Sequence, residues 1–234
     1  MTERTRRRKS GGRSAKRAAR AQVAEQRAAF IDRKIPYYEM LDEASLELIE
    51  HNADKLLEEI GIEFKEFPEA LALFKEAGAD IDGERVRFPR GMCRQIVQAS
   101  APAEYTQHAR NPANNVIIGG KRTVLVPAYG SPFVRDLDNG RRYATLEDFQ
   151  NFVKLAYMSP GLHHSGGTVC EPVDVPVNKR HFDMIYSHIK YSDKAFMGSV
   201  THPERAADSV AMAKLVFGDE FVNDNTVMTS LINA

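Results

Sequence analysis

Apolar residues are spaced in two different patterns along the second half of the chain. Short apolar runs that end in small or polar residues occur at 162–175, 194–203 and 225–234. Between them lie two longer segments, 177–188 and 204–217, whose apolar residues recur at the three- and four-residue steps of a helix. On the first of these helices the residues predicted to face inward are Phe182, Ile185, Tyr186 and Ile189. Strand–helix–strand–helix–strand at this spacing predicts parallel strands joined by right-handed crossovers. We therefore predict an α/β fold organised around the first of these runs.

The first half of the chain has helical patterns followed by β-hairpin patterns. Apolar spacing with flanking glycine or proline predicts three helices, at 38–60, 68–77 and 89–99. A short strand is predicted at 85–88, and hairpins are predicted at 116–126 and 133–143, the second turning at Asn139-Gly140. Thr145 and Asp148 then predict a capping box at the start of the next helix.

Composition and pattern divide the chain into three parts. Residues 1–34 carry twelve basic and three acidic residues, so we predict a disordered basic tail. Residues 35–110 are predicted to be a helical N-terminal extension. Residues 111–234 are predicted to form β-hairpins and the first half of a (β/α)8 TIM-type barrel, truncated at the C-terminus. The chain has 32 basic and 32 acidic residues overall, which leaves the body after the tail with a net charge of −9. An acidic body does not favour nucleic-acid binding.

Several classes of protein and site are not supported by the sequence. Two cysteines without a pairing pattern, Cys93 and Cys170, predict free thiols in a reducing compartment, and we place the protein in the cytoplasm. No apolar run is long enough to cross a membrane, and the basic N-terminus lacks the apolar core of a secretory signal. Metal-ligand spacings, the Gly-x-Ser-x-Gly nucleophile motif and phosphate-binding loops are absent, so no bound metal is expected.

The candidate site follows from the position of polar residues at predicted strand ends. In a TIM barrel the C-terminal ends of the strands form the mouth of the active site. The predicted substrate-binding residues are Thr168, Glu171, Ser199, Thr201, His202 and Asn233, with Tyr129 as an aromatic contact. Glu171 leads this group because a lone carboxylate can pair with a cation, and an aromatic ring attracts a methylated ammonium by cation–π interaction. The alternatives are that the hydroxyls cap helices, that Glu171 is a solvated loop residue and that the aromatic rings belong to the core.

Several segments, in order and spacing, resemble the N-terminal half of the trimethylamine methyltransferase family, the corrinoid-dependent methylamine and betaine methyltransferases. They are Leu56-Leu57-Glu58-Glu59-Ile60-Gly61, Pro132-Phe133-Val134-Arg135-Asp136-Leu137-Asp138, Gly166-Gly167-Thr168 with Glu171-Pro172, Asp174-Val175-Pro176 and Lys194-Ala195-Phe196-Met197-Gly198-Ser199-Val200. The resemblance implies a barrel with an N-terminal extension. It also implies transfer of a methyl group from trimethylamine, or from a quaternary amine such as glycine betaine, to the cobalt of a corrinoid protein. The corrinoid (cobalamin) would be carried by that partner, with none bound directly.

The resemblance also limits what can be transferred to this chain. Family members run to roughly twice this length, near the upper range for barrels. We therefore expect an incomplete N-terminal part that is inactive in isolation, and a homo-oligomer for the full-length protein. The position of pyrrolysine in the founding enzymes would lie beyond residue 234, and no catalytic residue is assigned. Two alternatives remain open: a non-catalytic half-barrel remnant that binds a partner chain, and a binding protein that uses its basic tail.

Overall fold

A computed structural model describes residues 30–232 of the chain. Most of the predicted basic tail, residues 1–29, and the predicted site residue Asn233 lie outside this range. The end of the predicted tail contains a short strand, β1 (Ile31–Asp32), which pairs with residues 122–123. The described residues divide into two compact units, one of residues 35–103 and one that joins residues 30–34 with residues 104–232. The smaller unit therefore ends before the boundary at residue 110 that the sequence predicts.

The smaller unit packs three helices around a small antiparallel sheet. Its elements are α1 (Glu43–Glu59), β2 (Ile62–Glu63), α2 (Pro68–Glu76), β3 (Asp80–Asp82), β4 (Arg85–Arg87) and α3 (Met92–Ser100). Strand β4 lies between β2 and β3, and the buried Val86 pairs with Ile62 on one side and Ile81 on the other. Gly61 adopts φ +70°, and a Cβ there would lie 2.1 Å from the carbonyl oxygen of Val86. The three predicted helices and the strand at 85–88 are confirmed, with small differences at their ends.

The larger unit begins with an antiparallel sheet and a separate hairpin. Strands β5 (Glu104–Gln107), β6 (Val116–Gly119) and β7 (Arg122–Thr123) form the sheet with β1, in the order β1-β7-β6-β5. Strands β8 (Phe133–Asp136) and β9 (Gly140–Tyr143) form the hairpin. Both predicted hairpins are confirmed. Gly140 has φ +65°, the left-handed conformation that the Asn-Gly turn requires.

Helix α4 (Leu146–Met158) starts at the predicted capping box. The Thr145 hydroxyl accepts a hydrogen bond from the backbone N–H of Asp148, whose carboxylate accepts one from the backbone N–H of Thr145. Arg142 adds an ion pair to Asp148, and its hydrogen bond holds the pKa of that carboxyl well below the ordinary value. The buried face of the helix, formed by Phe149, Val153 and Ala156, packs towards the core that contains Val134 and Val169.

The remaining elements form the predicted crossover between parallel strands. They are α5 (Arg180–Tyr191), β10 (Phe196–Met197), α6 (Pro203–Phe217), α7 (Asp219–Asp224) and β11 (Met228–Thr229). Strands β10 and β11 pair in parallel, with Phe196 beside Met228. Between residues 30 and 232 the architecture is mixed α/β, with seven helices and several small sheets, and it contains no closed barrel. None of the helices in this range is long and apolar enough to cross a bilayer.

The prediction of a regular strand beginning at Leu162 is wrong. Residues 163–167 nevertheless run beside β10, because the Ser165 N–H donates to the Ala195 carbonyl at 2.8 Å and the Met197 N–H donates to the Gly166 carbonyl at 2.9 Å. Gly166 adopts φ +90°, outside the extended region, and this interrupts the regular ladder. The segment therefore occupies a position next to β10 without forming a continuous strand.

The inward face of α5 also differs from the sequence prediction, which placed Phe182, Ile185, Tyr186 and Ile189 inside. Ile185 is buried, but the Phe182 and Tyr186 side chains are 39% and 51% exposed. Three polar residues of this helix are buried in their place: His181, Ser187 and His188. Each makes a hydrogen bond, which removes most of the cost of burying a polar group.

Candidate functional site

Five of the seven predicted site residues line one cavity in the larger unit. The cavity has a volume of about 190 Å³ and is bordered by Tyr129, Thr168, Glu171, Ser199 and Thr201. Thr168 follows the segment beside β10, Ser199 and Thr201 follow β10 itself, and Leu231 follows β11. Polar residues that follow neighbouring segments of the chain, Thr168 after the segment beside β10 and Ser199 and Thr201 after β10, therefore line the same cavity.

Tyr129 and Thr168 are brought together by a backbone contact and by a glycine. The Gly130 N–H donates to the Thr168 carbonyl at 2.7 Å, which joins the loop that carries Tyr129 to the segment that carries Thr168. A Cβ on Gly167 would lie 2.9 Å from both the Tyr129 ring and the Cβ of Met197. Real Cβ atoms do not approach other atoms so closely, so glycine at 167 allows Tyr129 to pack at this edge of the cavity.

Ser199 is fixed by helix α6, although it does not cap that helix. Its backbone N–H donates to the hydroxyl of the buried Ser209 at 3.0 Å, and Ser209 donates to the Arg205 carbonyl at 2.7 Å. The cap of α6 is His202, whose Nδ1 accepts from the Glu204 N–H at 3.3 Å. The His202 side chain is 59% exposed and does not line the cavity, so the structure places it apart from the other predicted residues.

Glu171 is not the lone carboxylate that the sequence predicts. Its Oε1 accepts a hydrogen bond from Nη1 of Arg180, which follows it by nine residues at the start of α5. The Arg180 side chain is only 12% exposed, and its Nη2 also donates to the Val175 carbonyl at 3.1 Å. The charge of Glu171 is therefore largely balanced within the protein, and a cation in the cavity would meet an ion pair.

A second arginine on the cavity wall, Arg205, has no acidic partner among the residues that the structure describes. Arg205 donates from Nη1 to the Thr201 hydroxyl at 2.7 Å and from Nη2 to the Val177 carbonyl at 3.2 Å. No carboxylate within residues 30–232 lies at ion-pair distance from this guanidinium. Sequence reasoning missed Arg205 because an arginine in the first turns of a helix is most often a solvated surface residue.

His181 also lines the cavity, although it was not among the site residues predicted from the sequence. The side chain is buried and its Nε2 lies 2.8 Å from the Asp208 Oδ2, so Nε2 carries the shared proton. The other ring nitrogen, Nδ1, is buried and has no hydrogen-bond partner in the described part of the chain. Buried polar atoms are rarely left unpaired, so this nitrogen marks a position that a ligand or an ordered water completes.

A buried pair, Ser165 and His188, fixes the backbone next to the cavity-lining residue Thr168. The Ser165 hydroxyl donates to Nδ1 of His188 at 2.7 Å, and Nε2 of His188 donates to the Gly167 carbonyl at 2.8 Å. Burial lowers the pKa of His188 to about 4, so the ring is neutral near pH 7. Because both side chains are fully buried, this pair positions Gly167 and the adjacent Thr168; it does not present a nucleophile to a substrate.

A second buried pair joins the sheet to the parallel strands. The Gln107 amide donates to the Phe196 carbonyl at 2.8 Å, and its oxygen lies 3.2 Å from Nε2 of His164. The Gly166 N–H donates to Nδ1 of His164 at 2.8 Å, and burial lowers the pKa of His164 to about 3. Neutral His164 therefore donates from Nε2 and accepts at Nδ1, which connects β5, the segment at Gly166 and β10.

Other features of the larger unit do not combine with the predicted residues. Two cavities of about 490 and 520 Å³ exist, the first lined mainly by apolar groups that include Phe152 and Leu155 and the second by residues around Phe221. Neither contains a predicted site residue. Across residues 30–232 no group of three or more His, Cys, Asp or Glu side chains is arranged to hold a metal ion. Burial raises the pKa of the Cys170 thiol to about 12, which makes it unreactive near neutral pH.

The known proteins that the chain resembles are methyltransferases. It is 48% identical over 201 residues to the glycine betaine methyltransferase of Desulfitobacterium hafniense (strain Y51), which covers 86% of this chain and 42% of that protein. It is 26% identical over 176 residues to the proline betaine:corrinoid methyltransferase of Eubacterium limosum, covering 74% of this chain and 35% of the relative. A shorter match joins it to the trimethylamine methyltransferase MttB of D. hafniense (strain DSM 10664 / DCB-2), 35% identical over 74 residues, 31% of this chain and 14% of that protein.

The chain thus spans less than half the length of these relatives. The family model for trimethylamine methyltransferase (MTTB) matches residues 8–234, and this range includes every residue of the cavity. The match also agrees with the resemblance that the sequence segments indicate. The chain belongs to the trimethylamine methyltransferase family.

Proposed function

We propose that the cavity lined by Tyr129, Thr168, Glu171, Ser199 and Thr201 is the substrate site of a methyltransferase. Its substrate would be a methylated amine, either trimethylamine or a quaternary amine such as glycine betaine. The methyl acceptor would be the cobalt of a separate corrinoid protein. The relatives named for this kind of activity support the assignment, and the observation that carries it is the convergence of five predicted site residues on one cavity.

We also propose that the larger unit is part of a (β/α)8 barrel. The parallel pairing of β10 with β11 and the α6–α7 crossover between them are the repeat from which such barrels are built. The segment at residues 163–167 lies in the place of the preceding strand, beside β10. In that arrangement the cavity stands at the C-terminal ends of the strands, where barrel enzymes have their active sites.

The side chains of the cavity suit the binding of a methylated ammonium. Such a cation has a diffuse charge, and the face of an aromatic ring such as Tyr129 attracts it by about 0.5–2 kcal/mol. Met184, Val177 and Val200 give the same cavity apolar surface for methyl groups. The Glu171–Arg180 ion pair adds a polar wall, without net charge, that is held in place before any ligand arrives.

Methyl transfer needs orientation more than acid–base catalysis at this site. A quaternary ammonium has no N–H, and loss of a methyl group releases a neutral tertiary amine, so no proton has to be removed first. The corrinoid supplies a reduced cobalt nucleophile when its carrier protein is bound. The residues of this chain then have to bind the amine, direct one methyl group outward and exclude water.

A pair of threonine substitutions tests the proposal. Thr168→Leu places a larger side chain in the cavity, and calorimetric titration with glycine betaine and trimethylamine is expected to show at least about tenfold weaker binding than the wild type. Thr123→Leu makes the same chemical change at an exposed position of β7 and is expected to leave affinity unchanged. Equal affinities for the wild type and Thr168→Leu would exclude this cavity as the substrate site.

A further inference from the structure

We infer that the cavity contains an anion subsite formed by Arg205, so that the preferred substrate is a zwitterion. The ligand would carry a carboxylate in addition to its methylated ammonium, as a betaine does. This inference rests on the proposed function and extends it, because it assigns the binding of the second charged group to a particular side chain. It predicts that amines without a carboxylate are the poorer ligands.

The charges on the cavity wall support a site for a negative group. Arg180 and Glu171 neutralise one another through their ion pair, whereas Arg205 has no carboxylate partner within residues 30–232. Two guanidinium groups against one carboxylate leave one positive charge among the lining residues. A cavity built only for an ammonium ion would have the opposite balance, since a positive wall repels a cation.

The geometry of Arg205 holds its guanidinium ready for a ligand. Thr201 and the Val177 carbonyl together accept two of its five N–H groups, which fixes the plane of the guanidinium and leaves three donors. A planar guanidinium binds a carboxylate through two parallel hydrogen bonds. Thr201 is therefore a positioning residue, whose hydroxyl directs Arg205.

The unpaired nitrogen of His181 is an independent indication of a ligand. Asp208 fixes the ring through Nε2, and the buried Nδ1 of this cavity-lining residue has no protein partner in the described part of the chain. With the proton on Nε2, Nδ1 is an acceptor, so a water that donates to Nδ1 and to the ligand carboxylate supplies the missing hydrogen bond. The methyl groups then contact the ring of Tyr129 and the side chain of Met184, which line the same cavity.

The size of the cavity agrees with a small zwitterion. Its volume of about 190 Å³ is below the roughly 300–1,000 Å³ of sites for drug-sized ligands. A molecule of a few heavy atoms with a charge at each end can contact the guanidinium and the aromatic ring simultaneously. Trimethylamine would contact the ring and leave the guanidinium unpaired.

Two ligands that differ in one group distinguish the two ends of the site. The full chain is titrated calorimetrically with glycine betaine and with choline, in which a hydroxymethyl group replaces the carboxylate. The wild type is expected to bind glycine betaine at least about tenfold more tightly than choline. Arg205→Gln is expected to weaken glycine betaine binding by about tenfold or more and to change choline binding less than about twofold. Arg205→Lys keeps the positive charge but loses the planar guanidinium, so its affinity for glycine betaine is expected to lie between those of the wild type and Arg205→Gln.

The control is the variant Arg141→Gln, because Arg141 is exposed, stacks on Phe133 and does not line the cavity. This variant is expected to bind both ligands as the wild type does. Far-ultraviolet circular dichroism and a melting curve check that each variant folds. Equal affinity of the wild type for glycine betaine and choline would overturn the anion subsite whether or not Arg205→Gln folds. An equal loss for both ligands in Arg205→Gln would overturn it as well. Binding of neither ligand to the wild type would contradict the proposed function itself.

Discussion

Replacing Lys194 with methionine is expected to destabilise the larger unit by about 3 kcal/mol. Lys194 is 2% exposed, and its Nζ donates to three backbone carbonyls: Ala156 at 2.8 Å, Ser159 at 3.0 Å and Leu162 at 2.7 Å. These carbonyls belong to the end of α4 and the loop after it, where helix carbonyls lack partners and the helix dipole favours a cation. One side chain, two residues before β10, thus anchors the segment that leads from α4 towards the cavity.

The magnitude follows from two opposing contributions. Hydrogen bonds to a charged donor contribute about 1.5–3 kcal/mol each, so three of them give about 4–9 kcal/mol. Removing an ammonium from water costs several kcal/mol, and methionine avoids this cost while filling a similar volume. The difference leaves about 3 kcal/mol, because methionine also leaves carbonyls at the end of α4 without a donor.

Urea denaturation of the purified chain, followed by circular dichroism, measures this effect. With a slope of about 2 kcal/mol per molar urea, the midpoint of Lys194→Met is expected about 1.5 M below that of the wild type. Lys190→Met is the matched control, because Lys190 is exposed on α5 and its loss is expected to cost less than about 1 kcal/mol. If the two variants unfold at the same urea concentration, the three hydrogen bonds of Lys194 do not stabilise the fold as proposed.

Two further predictions concern the support of the cavity. The pKa of His188 is about 4 in the folded protein, against 6.5 for an ordinary histidine. Its contribution to the free energy of unfolding is therefore fully present above pH 6.5 and is lost as the pH falls towards 4. Urea denaturation is expected to give a free energy of unfolding that is lower at pH 5 than at pH 8, with about 2 kcal/mol of the difference due to His188. The variant His188→Gln is expected to lack that part of the pH dependence. Gly167→Ala is expected to cost about 1–3 kcal/mol and to weaken amine binding, since its Cβ would lie 2.9 Å from the Tyr129 ring, whereas Gly161→Ala meets no atom within 4 Å and is expected to be neutral.

Features encoded by neighbouring residues were predictable from the sequence. The capping box of Thr145 and Asp148 and the Asn139-Gly140 turn depend on contacts between residues only a few positions apart. The parallel pairing of β10 and β11 was predictable as well, because a strand–helix–strand repeat has few other solutions. The convergence of Thr168 and Ser199 at one cavity follows from that topology.

Features that depend on distant pairing were not predictable. The ion pair of Glu171 with Arg180 and the pair of His181 with Asp208 join different elements, and no spacing rule identifies them. The inward face of α5 was mistaken because apolar periodicity assumes that hydrophobic residues are buried. Here His188 is buried instead, since Ser165 and the Gly167 carbonyl satisfy both ring nitrogens.

The position of a bound amine shows directly whether the cavity around Tyr129 and Thr168 is the substrate site. Glycine betaine labelled with ¹³C in its methyl groups can be added to the protein, and isotope-filtered nuclear Overhauser contacts record which protons lie near the methyl groups. We expect contacts to the ring protons of Tyr129 and the methyl group of Met184, both of which line the 190 Å³ cavity. Contacts to Phe152 and Leu155 in the 490 Å³ cavity, with none to Tyr129, would contradict this expectation.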